Sequence, residues 1–144
     1  MPEPVHNPPS GLLRRLAAGL YDALLVVAVW VIPTLVIMAF RGGEPIPAGN
    51  GLFQLLLLAT AAAFFTWFWT HGGQTLGMRA WRLRVEQASG APLTVRIAAI
   101  RFLVGIVSVA AFGLGVWWIM FDSRKRAWHD RATGTRVVVL PKKR

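Results

Sequence analysis

Cysteine is absent from the 144 residues. Disulfides, thiolate metal sites and cysteine nucleophiles are therefore excluded. Acidic side chains are scarce: 6 Asp and Glu stand against 16 Lys and Arg, for a formal net charge of +10. Such a balance points to nucleic acid or to an anionic membrane surface. No helix-turn-helix or zinc pattern is present, so no nucleic-acid partner is expected. The basic residues instead flank long apolar blocks, the arrangement that anionic headgroups attract at about 1 kcal/mol per charge.

What the chain has in abundance is apolar sequence. The hydrophobic fraction is 55% and the mean hydropathy is +0.50. Leu12–Phe40 is the central stretch, and from Leu16 on it is long enough to cross a bilayer, which takes about 20 apolar residues. Arg14-Arg15 before it resembles an export signal, but the run exceeds the roughly 7–15 residues of a signal core. It also holds Asp22, and no small-residue cleavage site follows closely, so an uncleaved span is expected. Arg15 and Asp22 stand seven residues apart, on one helix face and about 10 Å apart along the axis. A carboxylate in such a helix costs roughly 2.5–3.5 kcal/mol and needs a partner, a proton or water. The pair reads as the polar centre of the molecule.

Residues 1–10 are rich in Pro and read as a disordered tail, with His6 solvated and Ser10 a candidate cap for the first helix. Residues 11–140 read as one membrane domain with spans at about 16–40, 52–70 and 97–121, and residues 141–144 as a basic tail. Gly19 with Ala23, and Ala59 with Ala63, are small-residue pairs that let helices approach closely. Pro33 is expected to kink the first span. Trp67, Phe68 and Trp69 end the second span and read as an interfacial belt.

His71–Arg96 carries Arg79, Arg82, Arg84 and Arg96 against Glu86 alone, which places it in the cytoplasm and makes the first two spans an out-and-back pair. Leu83–Glu86 alternates like a strand and Ala88–Pro92 has turn chemistry, so a hairpin or extended segment is expected. Gly72, Gly73 and Gly77 lack the lysine and spacing of a phosphate loop. The third block is harder to place. The sequence after it holds eight Arg or Lys and two Asp, which resists export. A helix to about Ala111, a break at Gly113-Leu-Gly115 and a return through Val116–Phe121 keep both ends inside. This re-entrant reading is favoured over a straight third span, with Trp117 and Trp118 near the interface. Val137–Leu140 is too short to span and reads as a strand, with Val85 and Val95 as candidate partners. The fold class is thus an all-α membrane protein, two transmembrane helices plus a broken or re-entrant third, with a small extended cytoplasmic segment.

SGLLRRLAAGLYDALLV, TLGMRAWRLRVEQASGAPLTVRIAAIRFLVG and FDSRKRAWHDRATGTRVVV follow one another in order. Together they resemble the three motifs of the RDD family of small bacterial membrane proteins, over Ser10 to Val139. The resemblance makes Arg15 the naming arginine and Asp22 and Asp130 the two aspartates, with Arg101 the arginine that opens the next helix. It implies a multi-pass protein of the bacterial cytoplasmic membrane with a transport role, cation/proton exchange being the sharpest version.

Asp22 is the candidate titrating site: burial raises a carboxylate pKa and a neighbouring Arg lowers it, and a group between the two can trade a proton for a monovalent cation. The competing reading is an Arg15–Asp22–Arg101–Asp130 network that holds the bundle together. Exchange by so short a chain would call for a homo-oligomer, with Gly19 and Ala59 marking candidate faces. His129 beside Asp130 invites a catalytic or metal reading, but adjacent residues do not share a helix face. No nearby His or Glu completes a metal set. No enzyme, metal or cofactor is expected. Two function readings stand: a small transporter or transport-associated subunit built on Asp22, and a non-transporting scaffold whose basic cytoplasmic face binds lipid or a protein partner.

Overall fold

The computed structural model describes residues 7–111 and 114–142. Two long helices come first, α1 (Leu12–Phe40) and α2 (Gly51–Thr70). Both are long and apolar enough to cross a membrane. At 1.5 Å per residue they extend about 43 and 30 Å, against a hydrocarbon core of about 30 Å. Their side chains point outward: Leu20, Leu24, Val31, Leu35, Leu52 and Leu55 are all exposed. The α1 helix runs unbroken through Pro33. Asn50 caps α2, its side chain accepting from Phe53 N at 3.1 Å.

Short elements from two later parts of the chain build a small cap at the end where α1 begins and α2 finishes. It comprises α3 (Leu76–Ala80), β1 (Leu83–Gln87), α6 (Trp128–Thr133) and β2 (Thr135–Val139). β1 and β2 are antiparallel, with Leu83 opposite Val139, Val85 opposite Val137 and Gln87 opposite Thr135. Alternation puts Leu83, Val85 and Val137 on the face that packs on Ala18, Met78, Leu93 and Ala98, the larger apolar core. Glu86, on the other face, bridges Arg84 at 2.9 Å and Arg136 at 2.7 Å. The partner of β1 is therefore the C-terminal strand and not a hairpin neighbour across Ala88–Pro92. Val85 is a partner as the alternation suggested; Val95 is not, since it is the exposed first residue of the next helix.

Pro8–Ser10 belongs to this cap and is not a loose tail. Pro9 bridges Val138, Ser10 N donates to Val137 O at 3.0 Å, and Val139 N donates to Pro8 O at 2.9 Å. His6 lies outside the described residues. The helix α1 is capped at Gly11 without a side-chain bond, so Ser10 has another role, given below.

The third apolar block is broken. Helix α4 (Val95–Ala110) is followed by the short α5 (Leu114–Trp117) and a 3₁₀ turn at Trp118–Met120. Sixteen residues rise about 24 Å, short of a full span. Gly115 is buried where the chain folds back, and a Cβ there would meet Ser108 of α4 and the Trp128 ring. Gly113 lies outside the described residues. The returning chain delivers α6 against α4 and β2 against β1, so the C-terminal strand ends beside the N-terminal segment. Trp117 and Trp118 are exposed.

Neither small-residue pair packs within the monomer. Gly19, Ala23, Ala59 and Ala63 are exposed. The contact between α2 and its neighbours runs instead through Ala61, with Val26 and Phe102.

Candidate functional site

Asp130 sits at the third position of α6 and is fully buried. Its side chain accepts from Ala127 N at 3.0 Å, which fixes the start of the helix. The same carboxylate takes two guanidiniums: Arg15 of α1 on one oxygen and Arg101 of α4 on the other. Their side chains are 9% and 4% exposed. Arg15 Nε donates to Ser10 Oγ at 3.0 Å, and Arg101 Nη1 donates to Thr135 Oγ1 at 3.0 Å. One carboxylate thus ties together the N-terminal segment, α1, α4, α6 and β2. Burial alone would raise its pKa, but Arg101 and Arg15 outweigh burial and hold it well below the usual carboxylate range.

Asp22 does not join this network, so the four-residue cluster expected from the sequence divides in two. Asp22, also buried, accepts from Thr75 Oγ1 at 2.5 Å and from Gly77 N at 2.9 Å. Thr75 is the N-cap of α3, its oxygen accepting in turn from Met78 N at 3.2 Å. A carboxylate on α1 therefore completes the cap of a helix 53 residues further on. Gly77 is required here: a Cβ would meet the Ala18 carbonyl oxygen and lie 2.8 Å from Asp22 Oδ1.

Trp69 is the residue the sequence misplaced. Trp67 is exposed and stacks on His71 with centroids 3.9 Å apart, as an interfacial residue can. Trp69 turns inward, and the Arg101 guanidinium carbon lies 5.0 Å from its ring centre. An aromatic triplet at a helix end does not say which ring faces inward. His129 is largely buried with Nε2 3.8 Å from Asp130, too far for a hydrogen bond. Burial first, and then the Arg101 charge, push its pKa down to about 3, so the imidazole is neutral at physiological pH.

The two clusters border one cavity of about 560 Å³, with Arg15, Asp22, Trp69, Arg101 and His129 on its wall. Apart from these, its lining is apolar. No group of three or more His, Asp or Glu suited to a metal occurs among the described residues.

A curated relative from Rickettsia prowazekii (strain Madrid E), named an uncharacterized protein, is 30% identical over 92 residues. That match covers 60% of this chain, and the chain spans about half, 51%, of the relative's length. No solved structure matches. The model of the RDD family matches residues 9–134, from the segment that pairs with β2 to the end of α6. With its two candidate membrane helices, the chain belongs to the RDD family of membrane proteins.

Proposed function

We propose that the chain is a multi-pass protein of a bacterial cytoplasmic membrane that works as a non-transporting scaffold or partner subunit. Its N-terminus, the connection from α2 to α4 and the C-terminal sheet lie in the cytoplasm. In this reading α1 and α2 span, and α4 enters and returns. Arg41 is the one Lys or Arg between Leu16 and Met78, and among the described residues the other Lys and Arg belong to the end that carries the cap, as the positive-inside rule requires. That basic face attracts anionic headgroups or an acidic protein surface.

The observation that carries this reading is how the two aspartates are used. Each oxygen of Asp130 holds a guanidinium, and each oxygen of Asp22 holds a donor that positions α3. Both carboxylates serve as fasteners between distant segments. The second reading, cation/proton exchange at Asp22, draws support from the placement of Asp22 on the wall of an open cavity.

Ion-driven proton movement in liposomes, wild type beside Asp22→Asn, separates the two. The scaffold predicts no flux in either protein with sodium, potassium or lithium, and a loss of stability in the variant. Flux in the wild type that a folded Asp22→Asn lacks would refute it. Tags at the two termini, probed in intact cells, test the topology. Labelling of the C-terminal tag from outside would refute the re-entrant placement of α4.

A further inference from the structure

Helices α1 and α4 both pack on α2, yet scarcely touch each other. The gap between them is part of the 560 Å³ cavity, a volume within the roughly 300–1,000 Å³ of small-molecule sites. A glycine stands on each wall, Gly19 on α1 and Gly105 on α4. A Cβ on either would meet nothing within 4 Å. Ile106 and Val109 continue the α4 wall as apolar surface.

The wall changes character toward the cap. Among the described residues, Trp69 Nε1, Arg101 Nε and His129 Nδ1 are buried without a hydrogen-bond partner. All three side chains line this cavity. A buried polar group without a partner calls for an explanation. The Trp69 and Arg101 nitrogens can only donate, so their missing partner is an acceptor. Charge agrees with this. Among the described residues, Arg15 and Arg101 share the single carboxylate of Asp130, which leaves one cation in excess there. The oxygens of Asp22, on the same cavity, are already bound to Thr75 and Gly77.

We propose that the cavity binds a membrane glycerophospholipid. One acyl chain lies between α1 and α4 past Gly19 and Gly105, and acceptor oxygens of the anionic head take the Arg101 and Trp69 donors. The site goes beyond the scaffold reading and rests only on the membrane placement. A lipid held there fills the space that two glycines leave open and supplies the acceptors the protein lacks.

Photo-crosslinking tests this. The full chain is placed in phosphatidylglycerol–phosphatidylethanolamine vesicles containing a phospholipid with a diazirine on its acyl chain, and labelled peptides are mapped by mass spectrometry. Label is expected on the cavity walls, Ala18–Asp22 and Arg101–Val109, and on the outer face of α2 at Leu55 and Leu58. Gly105→Leu and Gly19→Leu each place a side chain in open space. Each should cut wall labelling by about fivefold or more, leaving α2 labelling and the melting temperature unchanged. Equal wall labelling in both folded variants would overturn the site, as would wall labelling no stronger than on α2. Displacement of the probe by equimolar free fatty acid would overturn the phospholipid assignment. Absence of label from α2 as well would overturn the membrane placement itself.

Discussion

Replacing Asp130 by Asn keeps the volume of the side chain and removes its charge. Arg15 and Arg101, 9% and 4% exposed, are then left side by side without their carboxylate. Removing one partner of a buried ion pair costs about 3–5 kcal/mol, because the remaining charge stays buried and uncompensated. Here two cations lose one shared anion, so the upper part of that range is expected. Folding stability is typically about 5–15 kcal/mol, and for a chain of this size 1 kcal/mol moves the melting temperature by roughly 2–4 °C. Thermal unfolding in mild detergent, followed by near-ultraviolet circular dichroism, should therefore fall by about 10 °C or more. The double variant Arg101→Met with Asp130→Asn removes one of the stranded cations. It should melt above the sum of its single variants, since the two sites are directly coupled. A change within about 2 °C for Asp130→Asn, or strict additivity in the double variant, would refute the claim that this carboxylate holds the cap to the helices.

Gly77→Ala drives a methyl group into the Ala18 carbonyl and the Asp22 carboxylate; a loss of about 1–3 kcal/mol is expected in the same unfolding assay. Ser10→Ala removes the acceptor of Arg15 Nε at a fully buried position and should cost about 1–3 kcal/mol, a result foreign to a disordered tail. His129 gives the protein an acid limit. Its pKa is about 3 when folded, against 6.5 for an unperturbed imidazole, so the unfolded chain binds the extra proton and stability falls as pH drops from 6.5 toward 3. Between pH 8 and pH 5 that linkage removes about 2 kcal/mol. His129→Gln should flatten the melting profile over that window, and a profile as steep as wild type would refute the assignment.

Much of this protein is legible in the order of its residues, because membrane helices announce themselves through local properties. The length and composition of α1 and α2, and the pairing of basic flanks with apolar blocks, depend on neighbours in sequence. The break in the third block followed from two local facts, the glycines near Gly115 and the basic tail that resists export. Arg15 and Asp22 stand out as charges at the edge of and within an apolar block, whereas Arg101 and Asp130 were marked by the resemblance to the RDD motifs.

Their partners were not, because those partners come from segments far apart in the chain. Arg15 meets Asp130 across 115 residues, and Asp22 meets Thr75 across 53. Helical spacing put Arg15 and Asp22 on one face and invited pairing them. Only the tertiary structure shows that each turns to a different segment. The strand pairing was half legible: Val137–Leu140 was matched to Val85 but also to Val95, since alternation gives a strand two faces but does not single out its neighbour. The same holds for Trp69: three aromatic residues in a row carry no signal of which one a distant arginine will cover. Sequence determined the elements and the charges, because short-range solvation decides those. Burial of each charge, and the anion it was given, were decided by packing.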